Sequence, residues 1–217
     1  MGEHGGRGAL RIPVAAEGWP LILTFAAAAG ALWAFGWSLG ALAFAALAVG
    51  CLFFFRDPER VAPTLAGAIV APADGRVVAV RGVVDPFVGE GVRVSIFLSP
   101  LDVHVNRAPL AGLVTDVEYR RGRFRAAYRD EASDVNERCT LRLQGEAVRV
   151  TVTQIAGVLA RRIVCRARSG DKLGLGERFG LICFGSRTDL VVPRETDLRV
   201  RQGEHVRGGE SLIGVIV

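Results

Sequence analysis

The stretch CTLRLQGEAVRVTVTQIAG, residues 139–157, decides the fold class. Leu141 and Leu143 alternate with Thr140 and Arg142, and Val150 and Val152 alternate with Arg149, Thr151 and Thr153. A period of two is the signature of a strand with one buried face. Gln144-Gly145 lies between the two runs as a turn signal. Runs of the same kind recur on both sides: GAIVAPADGRVVAVRGV from 67, GVRVSIFLSP from 91, GLVTDVEYR from 112, RRIVCRAR from 161, RFGLICFG from 178, TDLVVP from 188 and SLIGVIV from 211. Asp74-Gly75 and Gly208-Gly209 supply further turn signals. The expectation is a mostly β domain, an antiparallel β-sandwich or barrel-like fold. Helix is expected only in part of 124–135, where RRGRFRAAYRDEASD reads as a surface connection or short helix, or else as a lipid clamp.

Upstream the pattern is different. From Pro20 to Phe55 there are 36 residues without a charge. One membrane-spanning helix needs about 20, so two helical passes are the simplest reading, broken near GWSLG at 36–40. Halves this short fit a shallow re-entrant hairpin as well as a double crossing. Trp19, Trp33 and Trp37 are available as interfacial anchors. Arg7 and Arg11 precede the run, and Arg56 and Arg60 follow it. Positive charge at both ends puts both ends on the cytoplasmic side of a cell (inner) membrane. The expected organisation is therefore a cytoplasmic tail over 1–19, a membrane hairpin over 20–55 and a tethered catalytic domain over 56–217.

The formal charge of +5 suits an anionic partner. Nucleic acid is disfavoured because the arginines are scattered through strand-like runs without a recurring aromatic platform. Lys172 is the only lysine, which removes most lysine-based Schiff chemistry. Cys51, Cys139, Cys165 and Cys183 form no CxxC pair, so they read as reduced core or bilayer residues, and no metal site is expected.

Reactive residue types gather in three places. In ERFGLICFGSRTDLVVP, Gly185 precedes Ser186, and a serine hydroxyl can attack the preceding carbonyl when that bond is held exposed and strained. Alone, Gly-Ser is a plain turn. In FLSPLDVHVNRAP, His104 follows a strand and could act as general base or simply be a structural histidine. His4 and His205 fall in the N-terminal start and a Gly-rich charged loop. In APADGRVVAV, Asp74 sits at a turn and could orient the histidine in a Ser-His-Asp arrangement.

With FFFRDPER, APADGRV, FLSPLDVHVNRAP, NERC at 136, QIAGVLARRIVC and GERFGLICFGSRTDLVVP in this order, the sequence resembles the phosphatidylserine decarboxylase proenzymes, in their short, hairpin-anchored form. The resemblance implies self-cleavage between Gly185 and Ser186. A large chain (β, 1–185) and a small chain (α, 186–217) would stay associated, and Ser186 would become a pyruvoyl group. That group would form a Schiff base with phosphatidylserine in an anionic membrane and release phosphatidylethanolamine and CO2. The same resemblance implies that Asp74 and His104 activate Ser186 and that His104 serves the decarboxylation. Arg107 stands where larger members carry a second histidine. It could hold the lipid phosphate or carboxylate, as could Arg161 and Arg162, which are equally well read as solvated charge. Related serine-headed lipids fit the same motifs, and a homo-oligomer is compatible with them. The rival reading is a membrane-anchored, lipoyl-like β-barrel binding module without activity, supported by the pairing of PADGRVVAV with VRGGESLIGVIV.

Overall fold

The computed structural model describes residues 13–124, 135–157, 162–183 and 185–216. The chain forms two compact units that divide between Glu59 and Arg60.

The first unit is a short helix pair. A 3-10 turn, Ala16–Gly18, leads into α1, Trp19–Ala34, and Phe35, Gly36 and Trp37 connect it to α2, Ser38–Phe54. The break thus falls where the glycines and tryptophans of GWSLG predict it. The Phe25 and Phe44 rings meet across the pair at 6.1 Å. The chain enters and leaves side by side, because Ala15 N–H donates to the Phe55 carbonyl at 2.8 Å and Asp57 N–H to that of Pro13 at 2.7 Å. Trp33, Phe35, Trp37 and Leu39, at and beside the connection, are exposed. The helices have 16 and 17 residues, about 24 and 26 Å at 1.5 Å per residue, against a hydrocarbon core of about 30 Å. No helix among the described residues is long and apolar enough to cross a membrane.

The second unit is mostly β, and among the described residues its ladders are antiparallel, with one isolated parallel bridge between Arg123 and Asn136. Its strands are β1 Ala68–Val70, β2 Gly75–Asp85, β3 Gly89–Leu98, β4 Val105–Arg107, β5 Gly112–Arg120, β6 Arg138–Gln144, β7 Arg149–Ile155, β8 Ile163–Cys165, β9 Lys172–Leu173, β10 Arg178–Ile182, β11 Ser186–Pro193, β12 Asp197–Leu198, β13 His205–Val206 and β14 Leu212–Val215. Among the described residues the main sheet has eight strands, in the order β13-β2-β3-β11-β7-β6-β5-β9. Two three-stranded sheets, β1-β14-β12 and β4-β10-β8, accompany it. The Gln144-Gly145 turn closes the β6–β7 hairpin as its sequence predicts. Asp74-Gly75, in contrast, makes no hairpin: β1 pairs with β14, while β2 pairs with β3 and β13, so the chain changes sheets there. Gly75 is required at that crossing, where a Cβ would stand 2.2 Å from the Phe97 carbonyl oxygen. The helix expected within 124–135 concerns 125–134, which lie outside the described residues.

Alternation builds the core. Leu141 and Leu143 of β6, Val150 and Val152 of β7, Val94 and Ile96 of β3 and Leu190 and Val192 of β11 pack into one cluster with Ile69, Phe179 and Ile213 from the small sheets. Strand β11 is buried along its whole length between β3 and β7, so its second face must also be satisfied. There Arg187, fully buried, gives Asp189 two hydrogen bonds, of 2.6 and 2.9 Å, and Ser95 one of 2.9 Å. A fork of donors facing both carboxylate oxygens is the geometry in which a buried charge pair is tolerated.

Candidate active site

Ser186 opens β11 opposite Leu98, the last residue of β3. Two-residue alternation puts it on the same face as Thr188, Leu190 and Val192, which is the core face. Its Oγ is fully buried and has no hydrogen-bond partner among the described residues. Burying a hydroxyl without a partner costs about 1–3 kcal/mol, and such a group calls for a chemical explanation. Gly185 supplies the approach: its φ of 61° lies in the left-handed region, and nothing lies within 4 Å of the place a Cβ would occupy. Backbone conformation, rather than space, is what this glycine provides.

A polar layer lies between Ser186 and the apolar core. Asn106 of β4 donates to the Thr188 hydroxyl at 3.2 Å and accepts from Gln154 of β7 at 2.8 Å. All three are buried. This layer fastens β4 to the face of β11 two residues below Ser186. His104 lies two residues before Asn106 and is 1% exposed. Its carbonyl accepts the Ile182 N–H at 3.2 Å, three residues before Gly185. Its Nδ1 lies 2.9 Å from the Asp102 carbonyl, which can only accept. Nδ1 therefore carries a proton, and in the neutral ring the lone pair is on Nε2, the tautomer a general base requires.

Asp74 stands in an adjoining cluster at the start of β2. One carboxylate oxygen accepts the Gly208 N–H at 2.7 Å, and the other accepts from Arg60 at 2.9 Å. Arg60 also reaches Glu210 at 2.7 Å. Burial pushes the Asp74 carboxyl above its ordinary range, while the Gly208 N–H and the Arg60 guanidinium pull it back down and the Asp102 charge adds to the rise. Both carboxylate oxygens of Asp74 are thus partnered, and the His104 ring has a hydrogen bond to the Asp102 backbone.

The predicted arginines are placed differently from one another. Arg107 is 4% exposed, donates to the Gly176 carbonyl at 3.1 Å and packs its chain against Gly209. Arg162 is exposed, and its carbonyl accepts from Cys183 N–H at 3.1 Å. Arg161 lies outside the described residues.

Two residues absent from the sequence reading of the site join it in space. Asp102 accepts the Ser99 N–H at 2.7 Å and stands 3.0 Å from His205 Nε2. His205, read as a loop residue, instead forms β13 opposite Arg76. The spacing of LDVH was a usable signal for Asp102. His205 had none, since it lies 103 residues further on.

Fold and site together define a mostly β protein in which a buried serine follows a left-handed glycine and a buried histidine directly precedes β4 of a small sheet. The family model for phosphatidylserine decarboxylase matches residues 47–214. The chain belongs to that family. It is 48% identical over 204 residues to a phosphatidylserine decarboxylase proenzyme of Symbiobacterium thermophilum, covering 93% of this chain and 94% of the relative. Proteins of the same name from Geobacter sp. strain M21 and Magnetococcus marinus are 43% and 46% identical, each across more than nine-tenths of both chains.

Proposed function

We propose that this chain is a proenzyme that cleaves itself between Gly185 and Ser186 and then decarboxylates phosphatidylserine to phosphatidylethanolamine and CO2 at a membrane surface. The observation that carries the reading is the buried Ser186 hydroxyl, without a hydrogen-bond partner among the described residues and preceded by a glycine at φ 61°. His104 Nε2 takes the Oγ proton as Oγ attacks the Gly185 carbonyl carbon. The C–N bond breaks to give an ester, and elimination leaves Gly185 as the carboxyl end of the large chain. The unsaturated residue at 186 then takes up water and loses ammonia. The site fits the group so formed, because the Ser186 hydroxyl has no hydrogen-bond partner among the described residues and its conversion to a carbonyl gives none up. A pyruvoyl group there supplies the electrophilic carbonyl and electron sink that loss of CO2 requires.

The chain's own residues do the rest. His104, buried and with one ring nitrogen fixed, holds a proton beside the reacting carbon and delivers it after CO2 leaves. Arg162 is exposed, directly precedes β8 and suits a head-group phosphate. Arg107 acts from inside, holding the Gly176 loop. The exposed apolar helix pair seats the enzyme in the bilayer as a re-entrant hairpin, since each helix is shorter than the hydrocarbon core, and flanking arginines favour the cytoplasmic leaflet. The serine head group is the part recognised.

Intact mass and lipid extraction test this together. Wild-type protein should give two pieces with a blocked small chain, and the serine phospholipid pool should fall as ethanolamine lipid appears. Ser186→Ala should remain one chain near 23 kDa without turnover. An active wild-type enzyme recovered as one uncut chain would refute the proposal. For the hairpin, Trp37 fluorescence in vesicles should be quenched best by lipids brominated near mid-bilayer, and quenching confined to head-group labels would rule out insertion.

A further inference from the structure

Two features of the site remain outside this mechanism: the Asp102 carboxylate and the imidazole of His205. Asp102 does three things at once. Its carbonyl fixes Nδ1 of His104 at 2.9 Å, its Oδ2 accepts the Ser99 N–H at 2.7 Å, and its Oδ1 stands 3.0 Å from His205 Nε2. The Asp102 N–H also donates to the Ser99 carbonyl at 2.9 Å. The turn after β3 is therefore closed at both ends by Asp102, and Asp102 in turn is held from outside by His205. The backbone of His205 is held by pairing with Arg76 on β2, beside Asp74 and Gly75. The Asp102 side chain is 14% exposed and that of His205 52% exposed, so the pair forms the outer wall of a site whose inner wall is His104.

From this we infer that His205 is a positioning residue for His104, acting through Asp102. The imidazole of His205 keeps the Asp102 carboxylate in place. The Asp102 carbonyl then keeps the proton of His104 on Nδ1 and the ring aimed with Nε2 inward. His205 lies in the segment 186–217, so self-cleavage would make the small chain the source of both the reactive group and the clamp on the large chain's base. The inference rests on the reading of His104 as general base.

The test uses the full-length protein in detergent-lipid micelles and compares His205→Ala with His205→Gln, whose Nε2 can reach Asp102 as the imidazole does. Cleavage is read by mass, thermal stability by melting, and kcat and KM with dispersed phosphatidylserine. The expectation for His205→Ala is a kcat lower by about tenfold, the scale of a lost orienting partner, with KM within about twofold of wild type, because a positioning residue touches no substrate. His205→Gln should recover most of kcat. An Ala variant that cleaves slowly, with Gln restoring the rate, would support the same role at the first step. Wild-type kcat in His205→Ala overturns the inference. So does equal loss in both variants with a matching fall in melting temperature, which would make His205 a structural element only. His104→Ala separates the two readings. If it turns over normally, the general-base assignment fails; if it is inactive while His205→Ala is normal, only the positioning role fails.

Discussion

Asp74 and Ser186 are both polar and both buried, but burial acts on them in different ways. The hydroxyl of Ser186 cannot shed its desolvation cost by changing charge, whereas the carboxyl of Asp74 responds by holding its proton more tightly than the ordinary value of 3.8. That has a consequence for stability. Between 3.8 and the raised folded value, the native state binds more protons than the unfolded state, so the slope of unfolding free energy with pH is negative. The stabilising contribution of Asp74 is complete below 3.8 and is lost as pH rises through the folded value. In an uncleaved Ser186→Ala background, the melting temperature of Asp74→Asn relative to its parent should therefore rise as pH is raised from below 3.8 toward neutrality. Thermal unfolding across a pH series checks this, and a relative fall would show that Arg60 and Gly208 outweigh burial. Gly185 offers a second test, since Ala at φ 61° is strained by about 1 kcal/mol although open space surrounds it. Gly185→Ala should fold, and mass spectrometry should show an altered rate of self-cleavage.

Strand β11 carries both Ser186, the proposed reactive residue, and the buried Arg187–Asp189 ion pair, and the two are linked by strand geometry. Ser186 and Thr188 face the core, while Arg187 and Asp189 face the other way. Replacing Arg187 alone with Met leaves Asp189, 4% exposed, without the fork that neutralises it. The expected loss is about 3–5 kcal/mol. The double variant Arg187→Met with Asp189→Leu removes both charges and should regain most of that loss. Denaturant unfolding of the four proteins in a cycle measures the coupling; additive losses would show that the pair does not act as a unit. The α1–α2 pair poses the opposite problem, because its apolar side chains are exposed rather than over-buried. Helices of sixteen and seventeen residues are what a 36-residue uncharged run with a break near Gly36 gives, and each is shorter than the hydrocarbon core of a bilayer, about 30 Å.

Cleavage at Gly185–Ser186 would cut the chain without cutting the fold. Residues 186–217 supply β11 to the centre of the main sheet, β13 to its edge, and β12 and β14 to the sheet that also holds β1. The small chain should co-elute with the large one in non-denaturing size-exclusion chromatography and separate only in denaturant. Release under native conditions would mean that the ladders of β11 with β3 and β7 are not what retains it. Much of this organisation was legible in the sequence. Strand periodicity marked the β-class and the Gln144-Gly145 hairpin, the uncharged run marked a helix pair broken at Gly36, and six ordered motifs marked the family. These signals are local: they depend on side-chain alternation, chain composition and short spacings. What the sequence could not specify was which distant residues meet. It did not show that Asp74-Gly75 is a crossing between sheets, that Arg60 and Gly208 hold Asp74, that Arg107 points into a loop, or that His205 closes on Asp102 from 103 residues away. Such contacts are set by strand order and register, which arise when separate runs bury their apolar faces against one another. Residue types and family were thus determined along the chain, and the partners of each reactive group only by the packed sheets.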